Sequence, residues 1–338
     1  MLSIRYLDIL GIVLIIASVI CLILAMQFGS SSSSWRSSRV IGPFIGAGLI
    51  LVVFPVSQWR QGDRSTIPLR VVRQRSVLTG ALFSFFLEIS IYVTLYYIPF
   101  YFQSAQLVFP TISGVRVIPL GISQIAAAVI TSAIVSLTGH HAKHQVPFMV
   151  LGQVVSIIGT VCLTRLEVGT STALRATFLI MAGLGHGMGL QMPFYCHPSP
   201  SSHDDIPIGN AITVFFSQLG AAIAVAIGES IFKSSVSRKV NASHLPISAA
   251  RVIAAGPTGL RSLTSDPTTL RQLQDAYVYG IRIVMYFALA AACAAVPFAV
   301  GMEWRNVKEV ARGKKAEDDS GTDADTDTSV QKRGGGDV

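Results

Sequence analysis

Long apolar stretches separated by polar connectors run along most of the chain. A membrane-spanning helix needs about 20 mainly apolar residues, and eight stretches reach that length. They are apolar on all sides rather than along one stripe, which is typical of helices enclosed by lipid and by one another. The pattern therefore predicts an all-α polytopic membrane protein. The stretches lie at roughly 9–28, 40–58, 77–102, 118–139, 146–164, 176–196, 211–232 and 281–302.

The composition supports the same fold class. Charged residues make up 13% of the 338-residue chain, against about 25% in soluble proteins. Apolar residues reach 51%, and the mean hydropathy is +0.56. So little charge cannot coat a soluble globule of this size, and a disordered chain would be less apolar. Most of the molecule must face lipid, so membrane lipid is its first expected partner.

The net charge of +8 at pH 7 does not indicate nucleic-acid binding. The basic residues form no single stripe or aromatic-interleaved patch. They occupy the connectors, which is typical of the positive-inside pattern. This pattern predicts that both termini are cytoplasmic, although the bias becomes slight when the connector 233–280 is counted. The main support is five arginines between the second and third stretches: Arg60, Arg64, Arg70, Arg73 and Arg75.

The polar segments suggest three regions. Residues 1–76 would hold two helices and the basic cytoplasmic loop, and 77–302 would hold six helices with a long extracellular loop at 233–280. That loop contains a glycosylation sequon at Asn241, on the side where a glycan could be added. The segment 303–338 begins basic, becomes acidic and rich in Ser, Thr and Gly, and is expected to be a disordered cytoplasmic tail.

Several stretches together resemble one transporter family, the fourteen-span drug:proton antiporters of the major facilitator superfamily, and especially fungal efflux pumps for toxins and secondary metabolites. The similarity covers about residues 5–305 and rests on many short matches in order. The matching stretches are GDRSTIPLRVVRQRSVLTGALFSFF (62–86), YYIPFYFQ (96–103), SGVRVIPL (113–120), GLGHGMGLQMP (183–193) and IPIGNAITVFFSQLGAAIAVAIGESIF (206–232).

This resemblance implies proton-driven export of small, largely apolar molecules across the plasma membrane. It also implies that the chain corresponds to the family's central helix pair plus its C-terminal six-helix bundle, built from two inverted three-helix repeats, without the N-terminal bundle. Since such transporters bind substrate between two halves, we expect a second chain or a missing region to supply the other half. The alternative is a truncated, non-transporting membrane remnant or a scaffold subunit.

Glu88 is the leading candidate for a functional residue. It lies inside an aromatic-rich apolar stretch. Acids within a membrane span cost at least about 2.5 kcal/mol on insertion scales and are functional hypotheses by default. Glu88 would bind a proton or a cationic substrate. The alternative is a neutral Glu88 hydrogen-bonded to a neighbouring helix. The second acid of this kind, Glu229, lies near the end of its stretch and is interpreted as interfacial.

Four further residues complete the candidate site. Tyr96 and Tyr97 could stack on a planar substrate or simply pack at the interface. Gln191, beside a proline, could hydrogen-bond a substrate in a central cavity or bond helix to helix. His186 could line the same pathway, but the favoured interpretation is a packed, neutral histidine. It lies in a run in which Gly183, Gly185, Gly187 and Gly189 alternate with larger residues, and such spacing favours close helix packing.

The remaining polar motifs point to no enzyme and no cofactor. His140, His141 and His144 form the one histidine cluster of the sequence, but they lie in a short turn with no nearby acid or cysteine, so no metal site is expected. No acid, histidine and serine share a spacing that would indicate nucleophilic catalysis.

Overall fold

A computed structural model describes residues 8–30, 37–61, 69–137, 145–195, 205–243 and 245–302. Within these ranges the regular structure is entirely α-helical. The twelve helices are α1 (Ile9–Ser30), α2 (Ser38–Gln61), α3 (Leu69–Val72), α4 (Arg75–Ala105), α5 (Pro110–Leu137), α6 (Gln145–Thr164), α7 (Thr172–Leu190), α8 (Met192–Tyr195), α9 (Asp205–Ala242), α10 (Ala249–Ala255), α11 (Leu260–Leu263) and α12 (Pro267–Val300).

Eight of these helices are long and apolar enough to cross a membrane. They are α1, α2, α4, α5, α6, α7, α9 and α12, and each overlaps one of the eight predicted stretches. The prediction of an all-α protein with eight spans is therefore confirmed. Of the four short helices, α3, α10 and α11 lie in connectors, and α8 continues the span of α7.

The predicted extent of the connector, 233–280, is wrong because helix occupies both of its ends. Helix α9 continues to Ala242 because Val236 and Val240, one turn apart, stay buried in the bundle. Helix α12 begins at Pro267 rather than near 281. The irregular part is thus confined to the residues around α10 and α11. The sequon residue Asn241 is exposed in the last turn of α9.

The early start of α12 has a local cause in the sequence. Proline fits the first helical position, since it has no N–H to leave unpaired. Asp266 caps the helix by accepting hydrogen bonds from the backbone N–H groups of Thr268 and Thr269, at 3.3 and 2.9 Å. Hydrogen bonds from Thr268 and Thr269 to the ionised carboxylate hold the pKa of Asp266 well below its usual range.

The six membrane-length helices from α4 onward pack as two interlocked groups of three. The first group is α4, α5 and α6, and the second group is α7, α9 and α12. The first helix of the first group, α4, packs mainly against α9 and α12 of the second group. The first helix of the second group, α7, packs mainly against α5 and α6 of the first. The two third helices, α6 and α12, also meet, and the Gln153 side-chain amide donates a 2.8 Å hydrogen bond to the Ala292 carbonyl there.

Helices α1 and α2 form a hairpin outside this bundle, and α1 contacts α9. Asp8 joins the two helices at one end: its carboxylate accepts hydrogen bonds from the backbone N–H of Gly11 (2.7 Å) and from the side-chain amide of Gln58 (2.6 Å). The first bond caps α1 and the second ties α1 to α2, so one buried acid fixes the hairpin.

Candidate functional site

One face of α4 is left partly uncovered by the bundle and carries the candidate residues. Glu88, Tyr92 and Tyr96 follow at intervals of four, so they stack along the same side of the helix. Tyr96 is 43% exposed, whereas Glu88 and Tyr92 are half-buried. Leu95 extends this surface at 47% exposure. We call the surface of Glu88, Tyr92, Leu95 and Tyr96 the α4 face.

Glu88 has no ion-pair or hydrogen-bond partner among the residues that the structure describes. The other acid within a span, Glu229, differs in this respect because Lys233 lies 2.6 Å from it, one turn along α9. An unpaired carboxyl within a membrane span is costly unless it faces a cavity or an aqueous path. Glu88, unlike Glu229, is therefore left available for a ligand or a proton.

The two adjacent tyrosines have separate environments. Tyr97 is 1% exposed and lies in an aromatic cluster with Phe100 and Phe232, at ring-centroid distances of 5.8 and 5.6 Å. Its hydroxyl has no hydrogen-bond partner in the described part of the chain. Tyr96 contacts the edge of this cluster but points outward. The structure thus keeps Tyr96 on the α4 face and makes Tyr97 part of the core.

His186 is placed inside the bundle rather than along an open surface. Its side chain is 1% exposed. The ring nitrogen Nε2 lies 3.3 Å from the Ser90 hydroxyl of α4, and this pair joins α7 to α4. Because residues 88 and 90 point about 200° apart on a helix, His186 and Glu88 lie on different sides of α4.

Gln191 is exposed at the end of α7. Two residues later, Pro193 packs close to Gly80 near the start of α4. Gly80 precedes Glu88 by eight residues, about 12 Å along the helix axis. The five predicted residues therefore do not form one cluster: Glu88 and Tyr96 share a face, and Tyr97, His186 and Gln191 lie elsewhere.

Sequence reasoning missed the contact between Ser90 and His186. A serine within an apolar helix carries no signal of its partner, so only the tertiary arrangement reveals the pair. Within the residues that the structure describes, no group of three His, Cys, Asp or Glu side chains could hold a metal ion. The histidines at 140, 141 and 144 and the tail from 303 lie outside the described residues.

The arrangement of eight membrane-length helices with an interlocked six-helix bundle defines a polytopic helical membrane fold. A solved structure has a similar fold: a bacterial homologue of the human lysosomal transporter Spinster, in an inward-facing and unoccupied conformation, matches with a TM-score of 0.54. The match covers 86% of this chain and 68% of that one, at 11% identity, so the likeness is one of fold. No family model matches the chain.

Sequence relatives identify the family. The efflux pump aflT of Aspergillus parasiticus is 32% identical over 304 residues, covering 90% of this chain and 58% of the pump. The transporter astH of Aspergillus oryzae is 33% identical over 305 residues, covering 89% and 53%. The efflux pump roqT of Penicillium rubens is 30% identical over 306 residues. The chain belongs to the major facilitator superfamily, and it spans somewhat more than half the length of these curated relatives.

Proposed function

We propose that this chain forms one wall of a proton-driven efflux transporter for small, largely apolar molecules such as a toxin or secondary metabolite. The support is the similarity to fungal efflux pumps along about 90% of the chain. The proposed site rests on Glu88, which is unpaired among the described residues and lies beside aromatic side chains on the α4 face. The opposing wall would come from the part of the relatives that this chain does not span.

In this proposal the carboxyl of Glu88 binds a proton on one side of the membrane and releases it on the other. Tyr92 and Tyr96 provide aromatic surface for an apolar substrate beside it. Transporters of this kind work by rocking one half against the other around a site near the bilayer midplane. Glu88 suits that depth because it lies 13 residues into the 31-residue helix α4.

The decisive variant is Glu88→Gln, which removes the titratable group but keeps the shape. The assay is efflux of rhodamine 6G from proteoliposomes with an imposed pH gradient, using the chain together with the segment or partner that completes it. We expect Glu88→Gln to abolish the acceleration by the gradient. Asp275→Asn is the matched control, since Asp275 is exposed and its carboxylate is paired with Arg271 at the outer part of α12. Unchanged gradient dependence in Glu88→Gln would remove this residue from the mechanism.

The source of the opposing wall is a separate question with its own measurement, the 5′ end of the transcript. Additional spans in the same reading frame would place both walls in one polypeptide. A message that starts at Met1 would direct the search to a partner chain. If no partner is found and the chain moves no dye, the non-transporting remnant or scaffold replaces the efflux proposal.

A further inference from the structure

An apolar cleft of about 390 Å³ lies between the α1–α2 hairpin and α9. This volume falls within the range of small-molecule sites, about 300–1,000 Å³. The walls of the cleft offer mainly alkyl and aromatic carbon. They include Val19, Leu22, Phe54, Val72, Phe215 and Leu219.

The two polar residues in the cleft wall already have partners. The Ser18 hydroxyl donates to the Ala47 carbonyl at 3.3 Å. The Gln58 amide donates to the Asp8 carboxylate, which also accepts the Gly11 N–H. The wall therefore presents no polar group that requires a ligand, and a saturated chain is the ligand that its chemistry suits.

The short helix α3 closes one end of the cleft and brings positive charge to it. Val71 is fully buried against α9 and the start of α4. Val72 faces the cleft. Arg70 and Arg73, on either side of these valines, are exposed. The valines thus anchor the segment, and each of them is followed or preceded along the chain by an exposed arginine.

Charge in the surrounding sequence has the same sign. The stretch 59–76 contains five arginines against one acid, Asp63. One acid, Asp8, lies close to the cleft, because its carboxylate accepts the hydrogen bond from Gln58 in the cleft wall. Guanidinium groups bind phosphate through paired N–H donors, and basic pockets beside membrane helices bind anionic lipid headgroups.

We propose that this cleft and α3 together form a binding site for one anionic phospholipid. One acyl chain lies between α1 and α9, and the phosphate binds at Arg70 and Arg73. The lipid would bridge the hairpin and the bundle, since the hairpin otherwise meets the bundle mainly through α1 and α9. This inference does not depend on the proposed transport activity.

The test is native mass spectrometry of the purified full chain after exchange into phosphatidylserine or phosphatidylcholine with identical acyl chains. We expect one retained lipid with a preference for phosphatidylserine. The double variant Arg70→Ala/Arg73→Ala should reduce this preference roughly 30-fold, because each arginine near the membrane surface contributes about a fivefold factor. The matched control is Arg251→Ala/Arg261→Ala, which removes two exposed arginines from the α10–α11 region.

A second arm tests the cleft itself. Leu219→Trp fills the space beside Val19 and should lower retention of both lipids, whereas the arginine variant should lower only the headgroup preference. Dihexanoylphosphatidylserine, whose chains are too short to fill the cleft, should be lost more readily than the long-chain lipid. Equal retention of both headgroups by the wild-type chain would overturn the proposal, as would displacement of the long-chain lipid by inorganic phosphate. Unchanged binding in both the arginine and the cleft variants would overturn it as well.

Discussion

Helices α4 and α7 each pack against two helices of the other three-helix group, but the side chains at the two sets of contacts differ in size. The buried side of α4 is built from large side chains such as Phe83, Tyr97 and Tyr101. The buried side of α7 is built mainly from four glycines and Ala182, together with Leu179 and His186. The same helix arrangement is thus held by interlocking rings in one place and by backbone contact in the other.

Three of the four glycines of α7 face α5 or α6, and the fourth, Gly189, lies against Phe83 and Leu87 of α4. A Cβ at Gly183 or Gly187 would overlap backbone atoms of α5, and one at Gly185 would overlap the backbone of Ser156 in α6. Backbone cannot move aside as a side chain can. We call these close backbone contacts the glycine seam of α7, and the contacts of the large side chains of α4 the α4 seam. Close backbone contacts are typical of membrane helices, where packing rather than water exclusion drives association. The α4 seam should therefore tolerate small changes that the α7 seam does not.

The largest expected effect is at this glycine seam. Gly187→Leu should prevent α7 from approaching α5, because the added side chain meets the Gln124 carbonyl and Ala127. We expect loss of the monodisperse peak in fluorescence-detected size-exclusion chromatography. Gly121→Leu is the control, since a Cβ on Gly121 meets no atom within 4 Å. Equal behaviour of the two variants would contradict the backbone-contact description.

The next effect tests the aromatic seam of α4. Tyr97→Ala should destabilise the bundle by about 3–5 kcal/mol, the range for deleting a buried ring. Tyr96→Ala should cost much less because Tyr96 is exposed. Tyr97→Phe should be neutral or stabilising, since the buried hydroxyl has no partner among the described residues. Thermal unfolding in detergent measures all three, and a large loss in Tyr97→Phe would show that the hydroxyl is in fact bonded.

A smaller effect is expected where the two groups meet through α6 and α12. Gln153→Leu removes the hydrogen bond to the Ala292 carbonyl. Side-chain hydrogen bonds between membrane helices are worth about 0.6–2 kcal/mol, so the loss should fall in that range. Gln218→Leu, at an exposed position of α9, serves as the comparison. Loss of similar size at both positions would mean that the contact adds no specific stability.

The smallest expected effect is outside the membrane, at the cap of α12. Since the folded-state pKa of Asp266 lies below its unfolded value, the cap stabilises above the unfolded pKa of about 3.9 and weakens as pH falls below it. Asp266→Ala should lower the unfolding temperature slightly at pH 7, and the difference from wild type should shrink in acid. Asp266→Asn should retain most of the capping. A constant difference between wild type and Asp266→Ala across pH would contradict the capping role.

Hydropathy was sufficient to find all eight spans, because the thickness of the bilayer sets a minimum apolar length. It missed the ends of α9 and α12, where Arg238, Lys239, Arg271 and Asp275 lie on helices that continue beyond the apolar stretches. It also missed α3, α10 and α11, which are too short to stand out, and it did not separate α8 from α7 within the sixth stretch. The length of a helix beyond its apolar stretch depends on capping residues and on packing against other helices. The mean hydropathy of a stretch reveals neither.

The candidate site was predictable only in part. Glu88 stood out because acids are rare in apolar spans. The orientation of Tyr96 and Tyr97 was not predictable. Helix α4 is apolar on nearly all sides, so the sequence does not indicate which side of the helix faces the bundle. His186 and Gln191 occur in the same short segment, but the end of α7 at Leu190 separates a buried position from an exposed one.

The interlocking of the two groups has a consequence for synthesis of the protein. Helix α4 ends at Ala105, while its two main partners α9 and α12 begin at Asp205 and Pro267. At about 5–20 residues per second, translation of the roughly 100 residues between α4 and α9 takes about 5–20 s. During that interval α4 is inserted with Ser84, Ser90 and Thr94 still lacking their final surroundings. The bundle can close only late in translation, so a ribosome that stops after α7 leaves α4 in the membrane without the helices that cover it.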